Sequence, residues 1–169
     1  MSSAPEILVL GVDPGIATTG VALVRSTGSK RTLARFGVIA TPAGMAGPKR
    51  LAMLHERLIE LVAETRPQAA AVEQVFFASN STTAMQVAEA RGVILLAMEL
   101  SGVPVWEYTP MQVKVSLTGY GKATKPQMMK MVRATVDAPD KLPDDAFDAA
   151  AIALCHLQSQ RLLPGNQVS

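Results

Sequence analysis

The stretch ILVLGVDPGIATTGVALV, residues 7–24, places an aspartate where an apolar run stops. Ile7–Val12 is short and rich in β-branched residues, so it reads as a buried strand. Gly20–Val24 reads as the next strand and Thr32–Ala40 as a third. The turn-rich segment STGSK between these two predicts a hairpin, hence antiparallel pairing. Asp-Pro-Gly is a common turn sequence, and read alone Asp13 is turn chemistry.

Working outward, Pro42, Gly44, Gly47 and Pro48 mark a loop, after which Leu51, Leu54, Leu58 and Leu61 recur at helical spacing. That helix runs to about Arg66 and stops at Pro67. Ala69–Val75 reads as a fourth strand, apolar on both faces and therefore central. FFASNSTT follows as a loop, then a helix from about Thr82 to Leu100 and a fifth strand, Val103–Tyr108. Three helical segments close the chain: one after Pro110, one over Lys125–Val136 and one over Asp144–Arg161. Thr124 with Gln127 fits a capping box before the second of them. The first six residues, and those from about Leu163, read as flexible tails. The order predicts one α/β domain over residues 1–169, a mixed five-stranded sheet flanked by helices.

Composition narrows the function classes. At 49% hydrophobic and 18% charged residues, disorder is a poor description. A net charge of +2 is too small to argue for nucleic acid unless the charges are clustered. No apolar run reaches the roughly 18–20 residues of a membrane span. The first residues lack the basic-then-apolar order of a secretory signal. Cys155, the single cysteine, excludes an internal disulfide, so a cytoplasmic location is expected. Cys155 and Trp106 read as core residues; His55 and His156 form no ligand spacing and read as ordinary helix residues.

Four acids invite joint consideration. Asp13 follows the first strand, and Glu73 interrupts the apolar fourth strand near its end. Asp145 and Asp148, spaced i,i+3, share one face of the last helix near its start. Separately, Asp13 serves a turn, Asp145 the helix dipole and Asp148 a solvated face. Glu73 resists such a reading, because an unpaired carboxylate in a buried strand costs several kcal/mol. Sites in open α/β sheets form at the carboxyl ends of strands. If the first and fourth strands are neighbours, all four acids converge there, and such a cluster cannot stay ionised without cations. Oxygen-only ligands with no Cys/His set point to Mg²⁺ or Mn²⁺. Two such ions about 4 Å apart activate a water and stabilise a leaving phosphodiester oxygen.

Between Thr109 and Val136 there are five basic residues (Lys114, Lys122, Lys125, Lys130, Arg133) and no acidic ones. Lys130 and Arg133 fit a solvated helix face as well as a functional one. Lys122 sits in the glycine-containing segment TGYGKATK, where backbone and lysines can approach phosphates. Phe76 and Phe77 put two of the four phenylalanines in one polar loop, one suited to plugging the core and the other to stacking on unpaired bases.

With these segments assembled, the chain resembles the RuvC family of Holliday junction resolvases, on the ribonuclease-H-like (retroviral-integrase) fold. The resemblance rests on LGVDPGIATTG, AVEQVFFASNSTTAMQVAEARGV, YTPMQVKVSLTGYGKATKPQM and DDAFDAAAIALCH, spanning about Ile7 to Gln160. It implies a homodimeric, Mg²⁺-dependent crossover junction endodeoxyribonuclease with two ions per site, Mn²⁺ able to substitute, nicking opposing strands of a four-way DNA junction in recombination and repair. It further implies catalytic and metal-binding roles for Asp13, Glu73, Asp145 and Asp148, and DNA contacts by Lys114, Lys125 and Phe76. Lys122, Phe77 and Arg91 join the expected DNA contacts. The helix carrying AMQVAEARGV resembles the family's dimer-forming helix, and a branch-migration motor is an implied partner. Spacing alone leaves Asp144 and Asp145 both open beside Asp148; the resemblance selects Asp145. Pro126, beside Lys125, is a departure that bears on that lysine's placement.

Three other readings stand beside this one. An RNA-processing nuclease of the same superfold shares the strand-end aspartate motif. A phosphotransferase of the actin and sugar-kinase type needs two such domains, where this chain has room for one. A non-catalytic junction-binding protein has no use for four acids.

Overall fold

A computed structural model describes residues 5–74 and 81–160. In it the chain begins as an antiparallel meander of β1 (Glu6–Asp13), β2 (Thr18–Thr27) and β3 (Lys30–Ala40). β2 outruns the apolar run that predicted it, because pairing with β3 continues from Thr18↔Ala40 to Thr27↔Lys30. Glu6, expected in a flexible tail, instead pairs with Thr27 and forms a 3.2 Å ion pair with Arg25. The chain then alternates: α1 (Gly47–Thr65), β4 (Ala69–Glu73), α2 (Ser81–Leu100), β5 (Val105–Tyr108). It ends in α3 (Pro110–Thr118), α4 (Lys125–Val136) and α5 (Asp144–Ser159).

The strand order is β3-β2-β1-β4-β5, with β1, β4 and β5 parallel, so the sheet is mixed as expected. β5 starts two residues later than the sequence predicts. Pro104 has no N–H to give, and its carbonyl accepts from Ala70 at 2.9 Å. α1 starts earlier than predicted, at Gly47, because Pro48 suits a first helical turn, where a backbone N–H has no partner to lose. Arg66, in the left-handed conformation, ends it.

Strand alternation divides the interior in two. Val9, Ala22, Val24, Ala69 and Ala71 face α3, α4 and α5, while Leu10, Val12, Val21, Leu23, Ala70 and Val72 face α1 and α2. α5 is buried at every position from Ala149 to Leu157, a central helix wrapped by its neighbours. Within it Cys155 is a buried core residue, as read from sequence. His156 is buried too, its Nδ1 2.8 Å from the Tyr108 hydroxyl and its ring 4.7 Å from that of Trp106. Burial holds that imidazole down at about 4, hence neutral. Thr109 and Gln112 complete a reciprocal capping box before α3 (3.1 and 2.8 Å), and at α4 the Thr124 N–H donates to Gln127 Oε1 at 2.8 Å. Among the described residues no helix is long and apolar enough to cross a membrane.

Candidate active site

Asp13 and Glu73 are the last residues of β1 and β4, parallel neighbours whose register ends at Val12↔Val72. The two acids therefore leave the sheet side by side at its carboxyl edge. Alternation also places them on one face, in step with Val9 and with Ala69 and Ala71, which pack toward α5. The first two turns of α5 bring Asp145 and Asp148, both half-buried, to this edge.

The acids act on one another. Asp13 is pushed up from 3.8 to about 7 by burial and then by the charges of Glu73, Asp148 and Asp145, with Lys125 opposing. Glu73 is raised by burial and by Asp148, against Lys114. Asp148 is raised by burial, opposed by Lys125 and reinforced by Asp144 and Asp145. Lys125 Nζ lies 3.2 Å from Asp144 Oδ2 and 3.4 Å from Asp148 Oδ2. Turned this way, the side chains leave no three His, Cys, Asp or Glu among the described residues grouped to hold an ion. The donor set, four carboxylates without sulfur or imidazole, still matches a hard divalent cation. Of the two open aspartates, Asp145 acts on Asp13, whereas Asp144 is exposed and bound to Lys125.

Beside the acids lies a cleft of about 200 Å³, lined by Glu73, Asp148, Lys114 and Lys125 over a floor that includes Val113 and Ile152. Lys122 is exposed next to Ala123, which also lines it. Pro126 occupies the first turn of α4, where proline is favoured, so Lys125 keeps its reach to Asp148. Arg133 is tied through Nη2 to the Asp140 carbonyl at 3.0 Å, a structural bond. Phe76 and Phe77 lie outside the described residues.

Arg91, expected to contact DNA, also has a partner within the fold. It forms a two-point ion pair with Glu107 of β5, one arm at 2.7 Å, with 30% and 12% of the two side chains exposed. The pairing joins α2 to the sheet. Glu107→Gln is therefore expected to cost about 1–3 kcal/mol by leaving a half-buried charge poorly paired, measured by urea unfolding. A loss below about 0.5 kcal/mol would show the pair to be ornamental.

Sequence reading missed the residues that hold the segment after Asp13. Thr19, fully buried, donates to the Gly15 carbonyl at 2.6 Å. Thr41 donates its hydroxyl to the Ile16 carbonyl, its N–H to the Ala17 carbonyl at 3.0 Å, and accepts from Arg50 Nε at 2.8 Å. The available signal was a polar residue, Thr19, entering an apolar strand. Away from the cleft, α2 exposes Met85, Leu96 and Leu100 on one stripe with Gly92 between them.

Residues 9–156 match the family model described as "Crossover junction endodeoxyribonuclease RuvC". A relative of that name from Rubrobacter xylanophilus is 47% identical over 96% of this chain and 91% of its own length. One from Syntrophomonas wolfei is 46% identical over 91% of this chain and 90% of its own. The structure of T. thermophilus RuvC in complex with Holliday junction substrate superposes with a TM-score of 0.90 at 35% identity, covering 96% of this chain and 99% of that one. The yeast mitochondrial Holliday junction resolvase Ydc2 shares the fold, with a TM-score of 0.72 at 16% identity over 95% of this chain and 81% of its own.

Proposed function

The chain belongs to the RuvC family of crossover junction endodeoxyribonucleases, and we propose that it resolves four-way DNA junctions with Asp13, Glu73, Asp145 and Asp148 as its metal-binding catalytic acids. It is a Holliday junction resolvase, a hydrolase of phosphodiester bonds. Nothing in the family match favours an RNA-processing role. The observation that carries the site assignment is Asp13, whose carboxyl is raised to about 7 by burial and three neighbouring acids. Added positive charge beside such a group favours its ionised form, so a bound cation and an ionised Asp13 stabilise each other.

Bound among these acids, two divalent ions, Mg²⁺ with Mn²⁺ able to substitute, would supply Lewis-acid charge and acidify a water. The protein's own residues do the rest. Asp13 and Glu73 give fixed carboxylates from the sheet, and Asp145 and Asp148 give theirs from α5. Lys125, bridging Asp144 and Asp148, releases Asp148 and turns to the phosphate backbone. Lys114, in the cleft, and Lys122, at its rim, neutralise neighbouring phosphates. Phe76 or Phe77 stacks on bases at the crossover. Residues 1–169 act as one nuclease domain in a cytoplasmic homodimer joined through α2, working with a branch-migration motor.

The deciding experiment offers a synthetic four-way junction, a duplex and a structured RNA, each with Mg²⁺ or Mn²⁺. Paired symmetric nicks in the junction alone are expected. Comparable cutting of duplex or RNA overturns the proposal.

A further inference from the structure

We propose that Gly20 is a positioning residue for the metal site: the side chain it lacks is the seat on which α5 sets Asp145. Gly20 lies in β2 directly across from Asp13. A Cβ built there falls inside contact distance of the carbonyl oxygen and carbon of Asp145, and 2.9 Å from Asp145 Cβ. One helical turn on, a Cβ on Gly11 of β1 falls inside contact distance of the Ala149 carbonyl oxygen and 3.0 Å from Ala153 Cβ. α5 thus rests on bare backbone at two points, Asp145 on Gly20 and Ala149 on Gly11, on adjacent strands. Contact at this depth is with main chain, which has no rotamer by which to yield. Gly37, paired with Val21 on the other side of β2, has nothing within 4 Å of an added Cβ. Gly37 shares the face of Val21, turned to α1 and α2, so the close approach belongs to the face of the sheet beneath α5.

The consequence follows from tolerance. Restoring ordinary contact over an alanine at Gly20 lifts Asp145 by about 1 Å or more. Metal ligands must be held to about 0.2 Å, and a displacement of 1 Å at a reacting site can cost about 100-fold. Gly20 brings no functional group of its own. It acts by letting a helix-borne carboxylate reach the depth of the strand-borne ones. Only the first turn of α5 needs to tilt to admit the alanine, with the helix seated at Gly11, so the variant is expected to fold.

The proposal rests on reading Asp145 as a metal ligand, and its test separates the two claims. Mn²⁺ affinity of the full-length protein is measured by titration calorimetry, alongside junction binding in EDTA. Gly20→Ala is expected to weaken Mn²⁺ binding at least about 10-fold while junction affinity stays within about twofold; Gly37→Ala changes neither. Gly20→Ala combined with Asp145→Glu is expected to recover to within about threefold of wild type, since one more methylene reaches back over the lifted backbone. Asp145→Glu alone overshoots a correctly seated site and weakens binding. If Asp145→Asn binds Mn²⁺ as wild type does, the reading of Asp145 fails regardless of Gly20. If Asp145→Asn loses Mn²⁺ and folded Gly20→Ala keeps it, the seat alone is overturned. The seat is likewise overturned if the double variant is no better than Gly20→Ala, or if Gly20→Ala is unfolded by circular dichroism, which makes Gly20 a packing residue only.

Discussion

Asp13→Asn is expected to lose divalent-metal-dependent junction cleavage by at least about 10³-fold and, without metal at pH 8, to melt at a higher temperature than the wild type. The two effects share one cause. Asp13 ends β1 among three other acids and is raised from 3.8 to about 7. Its charge is costly to the folded protein until a cation offsets it. Because its proton is held more tightly in the folded than in the unfolded chain, the folded state binds more protons between about pH 4 and pH 7. Stability from this group is therefore present at low pH, falls as pH rises through that window, and levels off above it, the reverse of an ion-paired carboxylate. Asparagine keeps the shape and removes the charge, so a gain of about 1–2 kcal/mol is expected at pH 8, discounted for the part of the shift that solvent screens. Glu73 and Asp148 are raised as well, so the variant's pH slope is reduced, not abolished. The loss of cleavage corresponds to about 4 kcal/mol of transition-state stabilisation, within what a metal site supplies. Thermal melts in EDTA at pH 5 and pH 8, with a junction cleavage assay, check both halves. Retained cutting sinks the metal role. A variant melting at or below the wild type at pH 8 would mean that Lys114 and Lys125 already relieve the cluster.

The four acids were legible in the sequence because each breaks a local pattern. Asp13 ends an apolar run, Glu73 interrupts one, and Asp145 and Asp148 repeat on one helical face. The fold was legible for a related reason: strand and helix periods change cleanly along the chain, and the Ser26–Lys30 turn makes the β2–β3 pairing antiparallel. What escaped depends on contacts between distant segments. The depth at which α5 settles is set by two glycines on different strands, and neither glycine has a side chain to signal it. The ion pair of Arg91 with Glu107 forms because α2 packs against β5, a contact that the sequence of the helix alone does not report. Strand ends at Glu6 and Thr18 were set by pairing partners, which apolar content does not report.

Paired incision of a symmetric junction asks for two active sites, which the proposed homodimer through α2 would supply. Met85, Leu96 and Leu100 are 62%, 52% and 67% exposed, aligned along one stripe, with Gly92 leaving room for close approach. A two-fold dimer brings the same patch from each copy together, so one substitution acts twice. Leu96→Glu with Leu100→Glu removes four leucines from such an interface, each worth about 1.5–3 kcal/mol when fully buried, and sets like charges near the axis. Even a partial loss above about 4 kcal/mol raises the dimer dissociation constant about 10³-fold. The variant is expected to sediment as a monomer at micromolar concentration. Phe36→Glu on β3, 39% exposed in the wild type and far from this stripe in sequence, is expected to remain dimeric. The functional readout is a cruciform-bearing supercoiled plasmid. A dimer makes both cuts before the cruciform is lost and releases linear DNA. A monomer makes one, the supercoiling that holds the cruciform relaxes, and nicked circles accumulate. Since α2 contributes none of the four acids, a single nick should still form in the presence of Mg²⁺. A double variant that stays dimeric and yields linear product would remove α2 from the interface.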